Sequence, residues 1–217
     1  MNQMAKNKCT QNKSVTGKVS VYASGEESLM DVSQSRRHQL FFPLLKWFVT
    51  WGITPNHLTG LSLICGTGFC FLIGLHQTWA VPAALGLLLL HVLLDGIDGP
   101  LARYQGTAGN RGSFTDTAAD QLVVTFSTIA LIHIGLVTVI AGSLYLFFYT
   151  LVVAFAMIRS SMAIPYSWLV RPRLIVYAWI PVEIYLLPGT LSVLLWICIG
   201  LLGWKSITGF FKIRDQI

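Results

Sequence analysis

The chain has 217 residues, of which 54% are hydrophobic and 11% are charged. Soluble domains carry charge on about a quarter of their residues, so this composition excludes an ordinary water-soluble protein and indicates an integral membrane protein. The length gives room for about six membrane-spanning helices of some 20 residues each. The net charge of +6 predicts no nucleic-acid partner, because the basic residues lie between or outside the apolar segments, as in membrane proteins.

The N-terminal region changes character near residue 35. Residues 1–34 are rich in Lys, Ser, Gln and Asn and lack apolar periodicity, which predicts a disordered cytosolic tail. Residues 35–51 alternate basic residues with bulky apolar ones over a length too short to cross a bilayer. This pattern favours an amphipathic helix in the membrane interface. A short helix packed against the protein is the alternative.

Apolar segments then follow one another to residue 211, and we expect an all-α domain of six transmembrane helices over residues 52–211. Thr54 and Pro55 are suited to begin the first span. A turn at Gly142 and Ser143 is expected to separate the third span from the fourth, and the break at residues 187–190 divides the last apolar run into two. Residues 212–217 form a predicted cytosolic C-terminus.

Charge distinguishes six spans from five. With six spans and both termini on one side of the membrane, all fifteen Lys and Arg fall on that side. Five spans would export Lys205, Lys212 and Arg214. The positive-inside rule therefore predicts six spans, with both termini and the residues discussed next in the cytosol or at its membrane boundary. In a bacterium this would be the inner membrane.

Four of the nine acidic residues lie between residues 95 and 120, against strongly apolar sequence. Asp95 and Asp98 are three residues apart, and Asp116 and Asp120 are four apart, so each pair shares one face of a helix. Converging carboxylates repel one another unless a cation neutralises them. Hard oxygen ligands suit Mg²⁺, with Mn²⁺ as a second possibility.

Small residues and one arginine accompany the aspartates. Gly99, Ala102 and Gly112 have little or no side chain, which lets a bulky group approach the backbone. Arg103 adds a permanent cation with forked donors that suit a phosphate. Carboxylates, a divalent cation and arginine together are the equipment of phosphoryl transfer.

The stretch reads D-x-x-D-G-x-x-A-R-x(8)-G-x-x-x-D-x-x-x-D from Asp95 to Asp120. It resembles the signature of the CDP-alcohol phosphotransferase (CDP-alcohol phosphatidyltransferase) family at all eight fixed positions. The first span begins with Pro55-Asn56-x-x-Thr59, which is similar to the P-N-x-x-T start of that family's first helix. The likeness is close from the first span to the third.

The resemblance implies an enzyme that cleaves the pyrophosphate of CDP-diacylglycerol, passes the phosphatidyl group to a small polar alcohol and releases CMP. By position, Asp95, Asp98, Asp116 and Asp120 would bind two divalent ions, and Asp120 would be the general base. The implied nucleotide-binding residues are Asn56, Thr59, Gly99, Ala102, Arg103 and Gly112. Family members are often homodimers, so a homodimer is possible here.

The acceptor is less closely specified than the donor. Glycerol 3-phosphate leads, and its phosphate would need cations beyond Arg103: Arg159 first, then Arg111, with Arg171, Arg173 and Lys205 behind them. Glycerophosphate-type members often have Arg where this chain has Ser62 and Lys where it has Gln121. Three alternatives stay open: transfer of a CDP-linked head group to diacylglycerol, an intramembrane prenyltransferase, and a divalent-cation transporter.

Overall fold

The computed structural model describes residues 41–162, 164 and 171–217. These residues form helices and connecting turns without any strand. The helices are α1 Phe41–Thr50, α2 Pro55–Gly74, α3 Val81–Tyr104, α4 Asn110–His133, α5 Val139–Ser161, α6 Pro172–Tyr185 and α7 Thr190–Arg214, with a 3₁₀ turn at Thr78–Ala80 before α3. The predicted tail over residues 1–34, and the start of the predicted interfacial helix, lie outside the described residues.

The start of α2 follows from its sequence. The hydroxyl of Thr54 accepts from the amide of His57, and the His57 side chain accepts from the amide of Thr54. This reciprocal capping box satisfies amides that the first helical turn leaves unpaired. Pro55 occupies the first helical position, where a missing N–H costs nothing. The predicted beginning of the first span is confirmed.

Four helices in the described residues are long and apolar enough to cross a membrane, namely α2, α3 with its preceding turn, α5 and α7. The helix α4 carries Arg111, Asp116 and Asp120 in its first half. The helix α6 has only 14 residues, or about 21 Å, against a hydrocarbon core of about 30 Å. Length and composition therefore identify a membrane protein with four candidate spans.

The connection between α4 and α5 differs from the predicted one. The chain turns at residues 134–138, where Gly135 has a φ of +78°, and Gly142 and Ser143 lie inside α5. The predicted turn at these two residues was wrong. Gly142 serves packing instead, because a Cβ there would lie 2.5 Å from the Cδ1 of Ile132 on α4.

Helix α2 packs between α3 and α4, and α7 packs against α5 and α6. The crossing of α2 and α4 is close, since a Cβ on Gly66 would lie 2.7 Å from both methyls of Val123. At the opposite end of the bundle from the aspartates, the buried Glu183 of α6 accepts from the amides of Gly189 and Leu191 at 2.5 and 2.6 Å. It therefore caps the N-terminus of α7.

Candidate active site

Three aspartates from two helices meet at one end of the bundle. Asp95 and Asp98 are one turn apart near the end of α3, and Asp116 lies in the first half of α4. One carboxylate oxygen from each lies within 4.8 Å of the others. Asp98 is buried, and the other two are partly buried. Three carboxylates this close make a site for a cation rather than a stable arrangement of free charges.

The hydroxyl of Thr59 holds one of these carboxylates. It donates to Oδ2 of Asp98 at 2.8 Å and also contacts the carbonyl of Pro55 at 3.2 Å. Because Thr59 belongs to α2 and Asp98 to α3, this bond fixes the start of α2 against the carboxylate cluster. A hydrogen bond of this kind orients a carboxylate ligand.

Asp120 joins the cluster through an arginine. The guanidinium of Arg173 lies 2.9 Å from Oδ2 of Asp95 through Nη2 and contacts Oδ1 of Asp120 through Nη1. Arg173 is only 4% exposed and is the second residue of α6, after Pro172. A cation at a helix N-terminus opposes the helix dipole, so the two carboxylates must be what stabilises it there.

The two glycines of the motif leave open space. A Cβ on Gly112 would meet no atom within 4 Å, and one on Gly99 would meet only the Arg103 guanidinium at 3.6 Å. Neither glycine is therefore needed for close packing of helices. The space that they leave suits a group bound from outside the bundle.

The remaining predicted residues lie around this end of the bundle. Asn56 is exposed in the first turn of α2, and Ala102 and Arg103 lie in the last turn of α3. Arg111 is exposed in the first turn of α4, and Arg159 is partly buried near the end of α5.

Sequence reasoning ranked Arg173 behind Arg159 and Arg111, yet Arg173 contacts both Asp95 and Asp120. The sequence contained a signal for this contact. An arginine at the start of an apolar helix, directly after a proline, costs free energy unless a carboxylate pairs with it. Ser62 and His91, which bond to each other below the cluster, were not recognised as functional candidates.

The donor set fits a hard divalent cation. Asp95, Asp98 and Asp116 supply oxygens only, and no Cys or His joins the group among the described residues. Oxygen ligands from carboxylates are those that Mg²⁺ and Mn²⁺ prefer. Asp95, Asp98 and Asp116 would hold the ion.

The sequence profile of CDP-alcohol phosphatidyltransferases matches residues 52–204. The chain belongs to this family. The match spans α2 to α7 as far as Trp204 and includes every aspartate of the cluster, which agrees with the resemblance of the motif. Members of this family are phosphotransferases that depend on divalent metals, so this chain is an enzyme of that class. No curated protein matches the chain by sequence.

Solved structures of the phosphatidylinositol phosphate synthase of Mycobacterium tuberculosis share the fold. The form with CDP-DAG bound aligns with a TM-score of 0.68 at 19% identity, over 81% of this chain and 94% of that chain. The complex with manganese and citrate aligns with a TM-score of 0.66 at 19% identity, over 79% of this chain and 88% of that one. At 19% identity the likeness establishes the fold of this chain but not its substrate.

Proposed function

We propose that this family member transfers the phosphatidyl group of CDP-diacylglycerol to a phosphorylated alcohol, with glycerol 3-phosphate as the best candidate, and releases CMP. The observation that carries the proposal is the grouping of Asp95, Asp98 and Asp116 within 4.8 Å, with Asp120 joined to the same cluster through Arg173. A protein of the same fold has been solved with CDP-DAG and with manganese, which supports the same donor and metal here.

The reaction is a single displacement at phosphorus. An oxygen of the acceptor hydroxyl forms a bond to the phosphorus that carries diacylglycerol, and the bond from that phosphorus to the bridging oxygen of CMP breaks. CMP leaves with the bonding electrons, and the carboxylate of Asp120 takes the hydroxyl proton. When bound, divalent ions supply charge neutralisation of the pyrophosphate and of the leaving group.

Residues of this chain orient the donor from both sides of the cluster. The open space at Gly99 and Gly112 admits the nucleotide against the backbone, and Arg103 supplies donors for a phosphate. Asn56, Thr59 and Ala102 complete the proposed nucleotide-binding set. Thr59 has a second task, because its hydroxyl positions Asp98.

A phosphorylated acceptor would account for cations near the cluster on α4, α5 and α6. The buried Arg173 contacts Asp120 and therefore lies next to the proposed general base. Together with Arg159 and Arg111 it would neutralise an acceptor phosphate, whereas an uncharged alcohol would not need the additional charge of Arg159 and Arg111.

The proposed topology has six spans, with α1 in the interface and with the termini and the site in the cytosol. Arg173 brings the start of α6 to the end of α3 and the start of α4, while Glu183 places the start of α7 at the other end. Helices α4 and α6 therefore run between the same two ends as the four candidate spans. The charged nucleotide would enter from the cytosol, and the acyl chains would stay in the bilayer.

The test is product analysis with purified protein in mixed micelles. CDP-diacylglycerol and Mg²⁺ are combined with glycerol 3-phosphate, inositol phosphate, inositol, serine or glycerol in separate reactions, and CMP and lipid products are measured. The proposal predicts a new lipid phosphate only with the phosphorylated acceptors, and most with glycerol 3-phosphate. Turnover of an uncharged acceptor in preference to both phosphates would contradict it. In a parallel reaction, turnover of CDP-choline with diacylglycerol, without turnover of CDP-diacylglycerol, would also contradict it.

A further inference from the structure

A group of four polar side chains lies inside the bundle, below the metal cluster. We call it the buried polar layer, and its members are 2–5% exposed: Ser62, His91, Ser127 and Tyr177. Each comes from a different helix, namely α2, α3, α4 and α6. Polar groups placed this deep in apolar surroundings need partners and a reason.

The layer repeats the arrangement of the site one or two turns away. Each member follows or precedes a site residue on the same helix by three, four or seven positions, which places the two on one helical face. The pairs are Thr59 with Ser62, Asp95 with His91, Arg173 with Tyr177, and Asp120 with Ser127. Whatever fixes the layer therefore fixes the four helices that present the site.

Ser62 and His91 form the tightest part of the layer. Nδ1 of His91 lies 2.7 Å from the Ser62 hydroxyl and 3.1 Å from the Ser62 carbonyl, and that hydroxyl donates to the His91 carbonyl at 3.2 Å. Since a carbonyl oxygen only accepts, the contact to the Ser62 carbonyl requires the tautomer that carries hydrogen on Nδ1. Each side chain is thus bonded to the backbone of the other helix.

This reciprocal bonding sets the axial register of the antiparallel helices α2 and α3. Thr59 pairs with Asp98 at 2.8 Å, and one turn further along α2 Ser62 pairs with His91. If α2 slid along α3 by one residue, both bonds would break together. The Ser62–His91 pair therefore keeps the Thr59 hydroxyl opposite the Asp98 carboxylate along the helix axis.

Tyr177 connects the Ser62–His91 pair to the other two helices of the layer, α4 and α6. Its ring meets the His91 ring edge-on at 5.9 Å, and its hydroxyl lies 3.4 Å from the hydroxyl of Ser127. Tyr177 is one turn along α6 from Arg173. The layer thus continues across the bundle to the helices that carry Arg173 and Asp120.

We propose that Ser62 and His91 are positioning residues for the metal site, acting through α2 and α3 on Thr59 and Asp98. The inference rests on the proposed metal-dependent function. Neither residue touches the substrate in this account. An apolar pair of the same size could fill the space, but it would not specify which turn of α2 faces which turn of α3.

The test measures Mn²⁺ binding to the purified protein by electron paramagnetic resonance, without substrate. We expect H91F and S62A each to weaken Mn²⁺ binding by about tenfold or more, as loss of the groups that orient metal ligands does. H91N, whose amide can reach the place of Nδ1, should recover part of the affinity. The matched control is S206A, which should bind Mn²⁺ like the wild type. It removes a buried serine hydroxyl that donates at 2.8 Å to the carbonyl of Leu202 within its own helix.

Activity gives a second readout with the same variants. In H91F and S62A, the fold-increase in the Mg²⁺ concentration for half-maximal CMP release should exceed the fold-decrease in kcat. Wild-type Mn²⁺ affinity in S62A would overturn the inference even if H91F fails to fold. Wild-type protein that binds no Mn²⁺ and releases no CMP would overturn the proposed function as well, so the two failures are distinguishable.

Discussion

Asp98 is the buried member of the carboxylate cluster, and its surroundings show why the site needs a cation. Its oxygen lies within 4.8 Å of oxygens from Asp95 and Asp116, and two unit charges at that separation repel by about 3 kcal/mol at an effective dielectric near 20. Thr59 offsets a small part of this with one neutral hydrogen bond. Arg173 compensates part of the charge of Asp95 and Asp120, so the remaining negative charge of Asp95, Asp98 and Asp116 calls for the ion.

The substitution T59V removes the hydroxyl on Asp98 while keeping the shape of the side chain. We expect the Mg²⁺ concentration for half-maximal activity to rise by about tenfold. The measurement is CMP release as a function of Mg²⁺. T67V is the matched control on the same helix, because the Thr67 hydroxyl donates to the carbonyls of Leu63 and Ile64 within α2. Equal Mg²⁺ dependence in T59V and T67V would show that the bond does not orient Asp98.

The substitution D120N tests the general base. An amide cannot take the proton of the acceptor hydroxyl, so we expect CMP release to fall by at least about 100-fold. The control is D215N, which alters an exposed aspartate whose pair with Arg214 lies on the surface and should leave the rate unchanged. Near-normal turnover by folded D120N would contradict the assignment.

At the scale of residues, sequence alone located the aspartates, because their spacing on a helix and their apolar context are visible in one dimension. It could not rank the arginines, since Arg173 reaches Asp95 across 78 positions of sequence. It also could not explain two departures from glycerophosphate-type relatives. Ser62 bonds to His91, and the amide of Gln121 donates to Thr150 at 2.7 Å, so both serve contacts between helices here.

At the scale of helices, α2 is the element that joins the site to the bundle. It brings Thr59 to Asp98 on α3, and it crosses α4 at Gly66 with the methyls of Val123 directly opposite. A β-branched side chain on a helix has little freedom to move away. The close approach of α2 and α4 therefore depends on Gly66.

The substitution G66A places a methyl 2.7 Å from two carbons that cannot easily shift. We expect a loss of about 1–3 kcal/mol of stability, seen as a lower thermal midpoint in detergent. The double substitution G66A/V123A should recover part of it by making room. G200A is the control, since a Cβ on Gly200 meets nothing within 4 Å. Equal midpoints for G66A and G200A would show that α2 and α4 are not closely packed there.

The misplaced turn between α4 and α5 shows a limit of sequence patterns. Both Gly135 and Gly142 lie in apolar sequence, and glycine favours turns as well as close helix contacts. Only the fold distinguishes them: Gly135 has a positive φ, and Gly142 faces Ile132. The breaks at Thr54 and at residues 187–190 were predictable because capping and proline signals accompany them.

At the scale of the whole molecule, the buried charges lie at two opposite ends of the helical bundle. Arg173, Asp95 and Asp120 bring three helix ends together, and Glu183 caps α7 at the opposite end. Composition predicted a membrane protein, but hydropathy alone does not select α4 and α6 as spans. Helix α4 is polar where it carries the site, and α6 is short.

Cysteine accessibility tests the six-span topology. In a background without the four native cysteines, N110C, P188C and Q216C are labelled with a membrane-impermeant maleimide in intact bacterial cells and after permeabilisation. We expect P188C to react in intact cells, and N110C and Q216C to react only after permeabilisation. Reaction of Q216C in intact cells would contradict an even number of spans with cytosolic termini.

The carboxylate cluster is proposed to cleave CDP-diacylglycerol with a divalent cation. The most direct measurement is CMP release from CDP-diacylglycerol and glycerol 3-phosphate by purified wild type and D116N, with Mg²⁺, with a chelator, and with Mg²⁺ restored. We expect the chelator to stop CMP release by the wild type and excess Mg²⁺ to restore it, and we expect D116N to release CMP only at the background rate at every Mg²⁺ concentration. Release that persists in the chelator, or wild-type release by D116N, would contradict it.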